Sequence, residues 1–145
     1  MKKIIIIFIL LFTISSCWKT IDDNLTEIKM ENNNFIEQSF AQISVSDFKN
    51  EIENEEVILL DVRTLGELPK YGKIRGNQIL IDINLSSFAS EIWKLDKSKK
   101  YLVYCWHGNR SVVARDFMKR EWFMYVKDLE WWIDKWVSEW ESIIK

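Results

Sequence analysis

The sequence predicts an α/β fold in which a mostly parallel central sheet of about five strands carries helices on both faces. Short apolar runs alternate along the chain with segments of helical periodicity, which is the pattern of repeated strand–helix–strand units. One run, Val57-Ile58-Leu59-Leu60, is apolar at every position, as expected of a central strand that is covered on both faces. A second run, Tyr101-Leu102-Val103-Tyr104, ends directly at Cys105, at the edge where parallel sheets place their functional groups.

The first half of the domain is predicted to contain three strands. A short strand at residues 41–45 is followed by Ser46, the expected N-cap of a helix with apolar side chains four positions apart. The strand at residues 57–60 comes next, and another strand is predicted at residues 78–83. The segment between these two strands is predicted to be a loop, because it holds the turn-forming residues Gly66, Pro69, Gly72 and Gly76.

The second half continues the alternation. Ser86 or Ser87 is expected to cap a helix that runs through Trp93. After the strand that ends at Tyr104, the spacing of Val113 and Phe117 predicts a helix. The remaining elements are predicted as a short strand at Tyr125-Val126 and an amphipathic helix from about Trp132, with the apolar stripe Trp132, Ile133, Trp136, Val137, Trp140 and Ile144.

Length and composition limit the classes of function. The 145 residues suffice for one domain but not comfortably for two. The formal net charge is −2 and no long basic run is present, which argues against a nucleic-acid partner. Two cysteines and one histidine supply too few nitrogen and sulfur ligands for a structural zinc site. We therefore expect no metal and no cofactor.

The N-terminus has the pattern of an export signal. A basic start, Met1-Lys2-Lys3, precedes an apolar stretch that is too short to span a bilayer easily. The end of this stretch, Ile14-Ser15-Ser16-Cys17, resembles a bacterial lipoprotein signal, in which the cysteine is lipidated and becomes the new N-terminus. We expect residues 1–16 to be the signal peptide, residues 17–38 to be a lipidated flexible tether, and residues 39–145 to be the domain. The alternative is an ordinary secretory signal with a chance cysteine.

The predicted N-terminal signal indicates where in the cell the protein lies, and it affects how its two cysteines are interpreted. The protein is expected in the cell envelope, extracytoplasmic or periplasmic, and bound to a membrane through its lipid. Exported proteins usually pair their cysteines. If Cys17 carries the lipid, Cys105 has no disulfide partner within the chain, and dithiol redox chemistry is excluded in a single chain. An unpaired thiol in such a compartment suggests that it has a function.

Cys105 begins a short segment that joins a predicted strand to a predicted helix. The segment is Cys105-Trp106-His107-Gly108-Asn109-Arg110-Ser111. The loop N–H groups and the helix N-terminus favour negative charge on the sulfur, and the Arg110 side chain adds a full positive charge. These groups predict a reactive thiolate. The alternative is a buried structural cysteine, which would explain neither Gly108 nor Arg110.

The sequence resembles the rhodanese family of sulfurtransferases over about residues 41–140. The cysteine motif is specific, and the other motifs are persuasive through their order and spacing. The matching motifs are Asp61-Val62-Arg63 followed by Glu67, Gly72-x-Ile74-x-Gly76, Cys105-x-x-Gly108-x-Arg110-Ser111, and Val126-x-x-Leu129-Glu130 leading to Trp136. The resemblance implies a rhodanese-like fold and an enzyme of the thiosulfate sulfurtransferase type.

The resemblance also implies a persulfide mechanism. Cys105 would attack the outer sulfur of a thiosulfate-like donor, and a thiol or cyanide acceptor would then remove that sulfur. The substrate-binding loop would be Trp106, His107, Gly108, Asn109, Arg110 and Ser111. Arg110 would either hold a sulfonate group of the donor or only brace the loop. Asp61 and Arg63 would support the loop structurally, and a single exposed His107 usually neither steers an anion nor relays a proton.

Two other functions are compatible with this fold. Phosphatase relatives place five residues between the cysteine and the arginine, whereas four residues separate Cys105 from Arg110, and the smaller ring favours sulfur transfer. A catalytically silent, membrane-tethered binding module is the second alternative, although retention of the cysteine argues against it. The active protein is expected to be a monomer.

The tryptophans depart from the family pattern. Family members carry glycine where this sequence has Trp122, Trp131 and Trp132, and position 122 is expected to end a helix with positive φ. The chain has 8 Trp and 4 Gly in 145 residues, against a usual glycine share of about 7%. We hypothesise that some tryptophans, with Trp18 and Trp106 as further candidates, are glycines in the cell, encoded by a stop-type codon reassigned to glycine. Ordinary Trp codons would exclude this; the alternative is a Trp-rich variant with adjusted turns.

Overall fold

The computed structural model describes residues 23–75, 77–130 and 136. The chain divides into two compact units, residues 1–38 and residues 39–145. Residues 23–39 are helical and are called α1 here. The further elements are β1 (Gln42–Ile43), α2 (Val45–Ile52), β2 (Val57–Asp61), α3 (Glu67–Tyr71), β3 (Ile79–Leu80), α4 (Phe88–Ile92), β4 (Lys100–Tyr104), α5 (Asn109–Arg120) and β5 (Tyr125–Leu129).

The strands form one parallel sheet of five strands in the order β1-β5-β4-β2-β3, which confirms the predicted fold class. Strands β2 and β4 are paired at the centre, with Asp61 opposite Tyr104. The chain leaves β2 towards one edge of the sheet and, after β4, continues towards the other edge. The carboxyl ends of β2 and β4 therefore lie at a switch point of the topology, where α/β sheets place their sites.

Apolar side chains cover both faces of the sheet, as alternation along the strands requires. On one face, Tyr101 and Val103 of β4 pack with residues of α4 and α5 such as Ile92 and Met118. On the opposite face, the alternate residues of β4 join α2, and Trp136 packs there with its ring 5.9 Å from that of Phe48. This two-sided burial explains why the central runs are apolar at every position.

The prediction for the start of α2 was wrong by two residues. Strand β1 ends at Ile43, and Val45 is the first residue of the helix rather than the last of the strand. Ser44, not Ser46, is the N-cap, and its Oγ accepts a hydrogen bond from the Asp47 N–H at 3.1 Å. The cap at Ser44 places Val45 on the buried face of the helix, so burial of an apolar side chain decides between the two serines.

Two segments that the sequence predicts to be irregular are helical. Residues 64–77, a predicted loop, contain α3, in which Pro69 is tolerated because it lies in the first turn, where its missing N–H has no partner to lose. Residues 23–38 of the predicted flexible tether are helical with exposed side chains. The strand predicted at residues 78–83 is shorter than expected, since β3 covers only Ile79–Leu80.

Several predictions concern parts of the chain outside the described residues. These are the signal peptide and Cys17, most of the last helix, and Trp131 and Trp132. Trp136, the described residue of that helix, is helical and buried. Among the described residues, no helix is long and apolar enough to cross a membrane.

Trp122 confirms the positive φ expected at the end of α5. Its φ is 66°, and within residues 23–75 and 77–130 it is the sole non-glycine residue with positive φ. The side chain is 84% exposed, so little burial compensates for the steric conflict between a Cβ atom and this conformation. The geometry at residue 122 therefore suits glycine better than tryptophan.

Replacing this residue tests the cost of the conformation. We expect Trp122→Gly to raise the free energy of unfolding by about 1 kcal/mol, because glycine removes the steric conflict. Trp93→Gly is a matched control, since Trp93 is 55% exposed and lies just after a helix with an ordinary φ of −66°. This control should destabilise the protein. Denaturant unfolding measures both variants, and a loss of stability in Trp122→Gly would contradict the steric argument.

Candidate active site

Cys105 lies directly after β4, and its thiol points at the start of α5. The residue is 2% exposed, and its Sγ accepts a hydrogen bond from the Gly108 N–H at 3.1 Å. Gly108 is the N-cap of α5 and has φ 81°, a conformation that glycine adopts without strain. The turn that presents a backbone N–H to the sulfur therefore depends on glycine at this position.

The N-terminus of α5 gives the sulfur an electrostatically favourable environment. The helix covers Asn109–Arg120, and its first N–H groups have no partners within the helix. The helix dipole places roughly half a positive charge at this end. The helix N-terminus and the Gly108 N–H both lie at the Cys105 sulfur, and a reactive thiolate there stays a prediction from the sequence.

Ser111 connects the thiol to a buried carboxylate. The Cys105 thiol donates to Ser111 Oγ across 3.6 Å, and this hydroxyl lies 3.4 Å from Asp128 Oδ2 and 2.8 Å from the Gly108 carbonyl oxygen. Asp128 belongs to β5 and is fully buried. Its carboxylate accepts hydrogen bonds from Arg115 Nη1 at 2.5 Å and from Gln42 Nε2 at 3.1 Å.

Burial dominates the protonation of this carboxylate. Desolvation raises the pKa of Asp128 to about 6, although Arg115, Gln42 and Ser111 oppose the increase. Asp128 was not predicted as a site residue, because the strand expected from the sequence covered only Tyr125-Val126. The available signal was an acidic residue next to Leu129 in a strand that must be central in a parallel sheet.

Arg110 is paired with Glu67 rather than directed at an open site. Arg110 Nη1 donates to Glu67 Oε2 at 2.8 Å, and Arg110 Nη2 donates to Glu67 Oε1 at 2.7 Å. These hydrogen bonds are the largest cause that lowers the pKa of Glu67 to about 2, and they raise the pKa of Arg110. Of the two roles considered for Arg110, this geometry favours bracing the loop.

Helix α3 holds the cysteine loop at two points. Glu67, its first residue, binds Arg110 near the end of the loop. Tyr71, its last residue, stacks on Trp106 at the start of the loop, with ring centroids 4.0 Å apart and an interplanar angle of 33°. The ring contact gives the indole of Trp106 a packing role, in contrast to the exposed indole of Trp122. Helix α3 was not predicted from the sequence, and Glu67 was recognised only as part of a motif.

Asp61 and Arg63 form a buried ion pair at the end of β2. Arg63 Nη2 lies 2.7 Å from Asp61 Oδ2, and both side chains are fully buried. The same Asp61 oxygen accepts from the Tyr104 hydroxyl at 2.7 Å and from Gln78 Nε2 at 2.9 Å. Arg63 Nη2 also donates to the carbonyl oxygen of Gly72, the residue after α3, at 2.7 Å. The pair thus joins β2, β4 and α3 beneath the loop.

The remaining loop residues lie on the outside. His107 and Asn109 are exposed, and the His107 ring is 6.3 Å from that of Trp106 in an edge-on arrangement. Among the described residues, no group of three His, Cys, Asp or Glu side chains could hold a metal ion.

Comparison with known proteins agrees with this fold. Residues 44–139 match the rhodanese-like domain family. A rhodanese-related protein from Thermoplasma volcanium is similar at 32% identity and a TM-score of 0.62, over 72% of this chain and 98% of that one. A rhodanese-like domain protein from Staphylococcus aureus has 22% identity and a TM-score of 0.59, over 72% and 99% of the two chains.

A third structure extends the likeness in fold. The polysulfide-sulfur transferase from Wolinella succinogenes, a homodimer in solution, has 24% identity and a TM-score of 0.58, over 81% of this chain and 85% of that one. No curated protein is significantly similar to the chain in sequence. The family match and the Thermoplasma relative together establish that the chain belongs to the rhodanese-like domain family.

The environment of Asp128 makes stability depend on pH. A native pKa of about 6, raised from 3.8, means that the folded protein binds more protons than the unfolded chain between these values. This group therefore adds stability as the pH falls from about 7 to 4, by roughly 2 kcal/mol. We expect Asp128→Asn to remove this pH dependence.

Urea unfolding of both proteins between pH 4 and pH 7 measures the effect. Asp116→Asn is the control, because Asp116 also pairs with Arg115 but is half exposed. This control should keep the slope of the wild type. Parallel curves for the wild type and Asp128→Asn would show that the Asp128 carboxyl titrates alike in the folded and unfolded states, contrary to the prediction.

Proposed function

We propose that the protein is a sulfurtransferase that moves a sulfane sulfur through a persulfide on Cys105. The observation that carries this proposal is the Cys105 Sγ at the N-terminus of α5, bonded to the Gly108 N–H. The Cys105 thiolate attacks the outer sulfur of a thiosulfate-type donor, a new S–S bond forms, and the donor S–S bond breaks with release of sulfite. A thiol or cyanide acceptor then takes the outer sulfur and restores the thiolate.

The loop stabilises the charge that this chemistry creates. Both the thiolate and the persulfide are anions, and the second places its charge one bond further from Cys105. The Gly108 N–H and the dipole of α5 are fixed before the reaction, so they stabilise each anion without reorganisation. We propose that the protein acts in this way as a monomer on small-molecule donors and acceptors.

A silent binding module is the second candidate, and one observation favours it. Cys105 is only 2% exposed, so a donor has limited access to the sulfur in this conformation. Sulfur transfer requires that a donor reach this buried sulfur. A binding module would have no such requirement.

Mass spectrometry of the peptide that contains Cys105 separates the two candidates. We expect one added sulfur atom after incubation with excess thiosulfate or inorganic polysulfide, and its removal by cyanide. Cys105→Ser is the control and should gain no sulfur. An unmodified peptide with both donors, from protein shown to be folded, would reject the sulfurtransferase and leave the binding module.

We also propose that the protein is anchored in the cell envelope by a lipid on Cys17. The proposal rests on the N-terminal sequence, with its basic start, apolar stretch and small residues before the cysteine. The anchor would place the domain on the extracytoplasmic or periplasmic side of a membrane.

Expression of the full chain in a bacterial host tests the anchor. The protein should enter the detergent phase, and its N-terminal peptide should begin at Cys17 with attached acyl chains. Cys17→Ala should shift the protein to the aqueous phase. An N-terminus at another residue, or identical partition of both proteins, would contradict lipidation.

A further inference from the structure

We propose that Glu67 determines donor specificity, because it occupies Arg110 and so directs the site towards organic persulfide donors rather than thiosulfate. The inference rests on the proposed sulfur transfer and adds a choice among its donors. A thiosulfate ion carries a sulfonate group and two negative charges, whereas an organic persulfide carries neither a sulfonate nor more than one negative charge. The difference between these donors is therefore a difference in what Arg110 would have to bind.

The carboxylate of Glu67 already uses the groups that a sulfonate would need. An arginine binds an oxyanion through two parallel N–H groups, and both terminal nitrogens of Arg110 bind Glu67, at 2.7 and 2.8 Å. To bind the same two N–H groups, a donor sulfonate would have to displace a carboxylate of the same geometry. Because the pKa of Glu67 is about 2, this carboxylate stays ionised throughout the physiological range of pH.

Hydrogen bonds from Thr64 raise the free-energy cost of moving the Glu67 side chain away from Arg110. The Thr64 N–H and the Thr64 hydroxyl both donate to Glu67 Oε2, each at 2.8 Å. With the two bonds from Arg110, four hydrogen bonds fix this carboxylate at the start of α3. Releasing Arg110 would leave two partly buried charges without partners, because the side chain of Arg110 is only 27% exposed and that of Glu67 only 19%.

The positive potential at Cys105, once Glu67 has paired with Arg110, suits one anionic sulfur but not a dianion. The Gly108 N–H and the roughly half charge of the α5 dipole act on Cys105 together with Arg110, which also interacts with this residue but whose charge is balanced by Glu67. This potential stabilises a single thiolate or persulfide. A second negative charge on a bound donor would lie near the Glu67 carboxylate, which would repel it.

A persulfide donor satisfies the chemistry without Arg110. The Cys105 thiolate attacks the outer sulfur of R–S–SH, the Sγ–S bond forms, and the R–S bond to that sulfur breaks with its electron pair leaving on RS⁻. The outer sulfur keeps its proton or loses it to water, so no external oxidant or reductant is needed. At the entrance of the loop, the stacked rings of Tyr71 and Trp106 offer an apolar contact for the organic group R.

Steady-state kinetics of the full chain with cyanide as acceptor tests the proposal. Thiosulfate and cysteine persulfide are compared as donors in the wild type and in Glu67→Gln. We expect the wild type to use persulfide with the higher kcat/KM. In Glu67→Gln, Arg110 loses its ionic partner, and the KM for thiosulfate should fall about tenfold with a much smaller change for persulfide.

Two control variants make this result specific. Glu91→Gln removes a carboxylate that pairs with Lys94 on the surface of α4 and should leave both donors unaffected. Glu67→Asp keeps the negative charge and should keep the high KM for thiosulfate, which a loss of structure would not do. An unchanged thiosulfate KM in Glu67→Gln, or equal changes for both donors, would overturn the inference. If Cys105 gains sulfur from neither donor, the proposed function fails instead.

Discussion

The buried ion pair of Asp61 and Arg63 is the interaction on which the geometry of the site depends. Removing two charges from water is costly, and such a pair stabilises a fold only when its remaining polar atoms are also bonded. Here the Tyr104 hydroxyl, the Gln78 amide and the Gly72 carbonyl oxygen provide most of those bonds, and among the described residues Arg63 Nη1 is the one buried side-chain atom left without a partner. Each partner belongs to a different part of the chain, so the pair fixes the end of α3 against the ends of two central strands. Removal of either charge would leave the other buried without a counterion.

The position of α3 in turn determines the shape of the cysteine loop. The helix has one and a half turns and would not be stable alone, so its place depends on the network at its C-terminal end. Its first and last residues hold Arg110 and Trp106, on either side of the turn at Gly108. The direction of the Gly108 N–H towards the sulfur is therefore a consequence of contacts that begin at the end of β2. This dependence explains how residues that do not bond to Cys105 still determine its environment.

The sequence predicted the parallel sheet and the position of Cys105 at the end of a strand, but not the interactions around this cysteine. Apolar runs and their spacing suffice for a parallel sheet, because each run must be buried on both faces wherever it lies. Ser44 and Ser46 are both plausible caps of α2, and apolar periodicity alone does not distinguish between them. The choice depends on whether Val45 is buried as the first residue of the helix. The pairing of Glu67 with Arg110 joins residues 43 positions apart, and no local pattern reports such a contact. The glycine-type turn at Trp122 was recognised because its conformation follows from the helix end itself.

The arrangement separates the groups that stabilise charge from those that maintain shape. The Gly108 N–H and the helix dipole act on the sulfur, and both come from the backbone rather than from a side chain. The charged side chains nearby, Arg110 and Asp128, are each bound to a partner within the protein. Under the proposed sulfur transfer, such a site keeps Cys105 stabilised while the partners of these side chains determine which donor binds. Variation of the residue opposite Arg110 would then change specificity without changing the chemistry at Cys105.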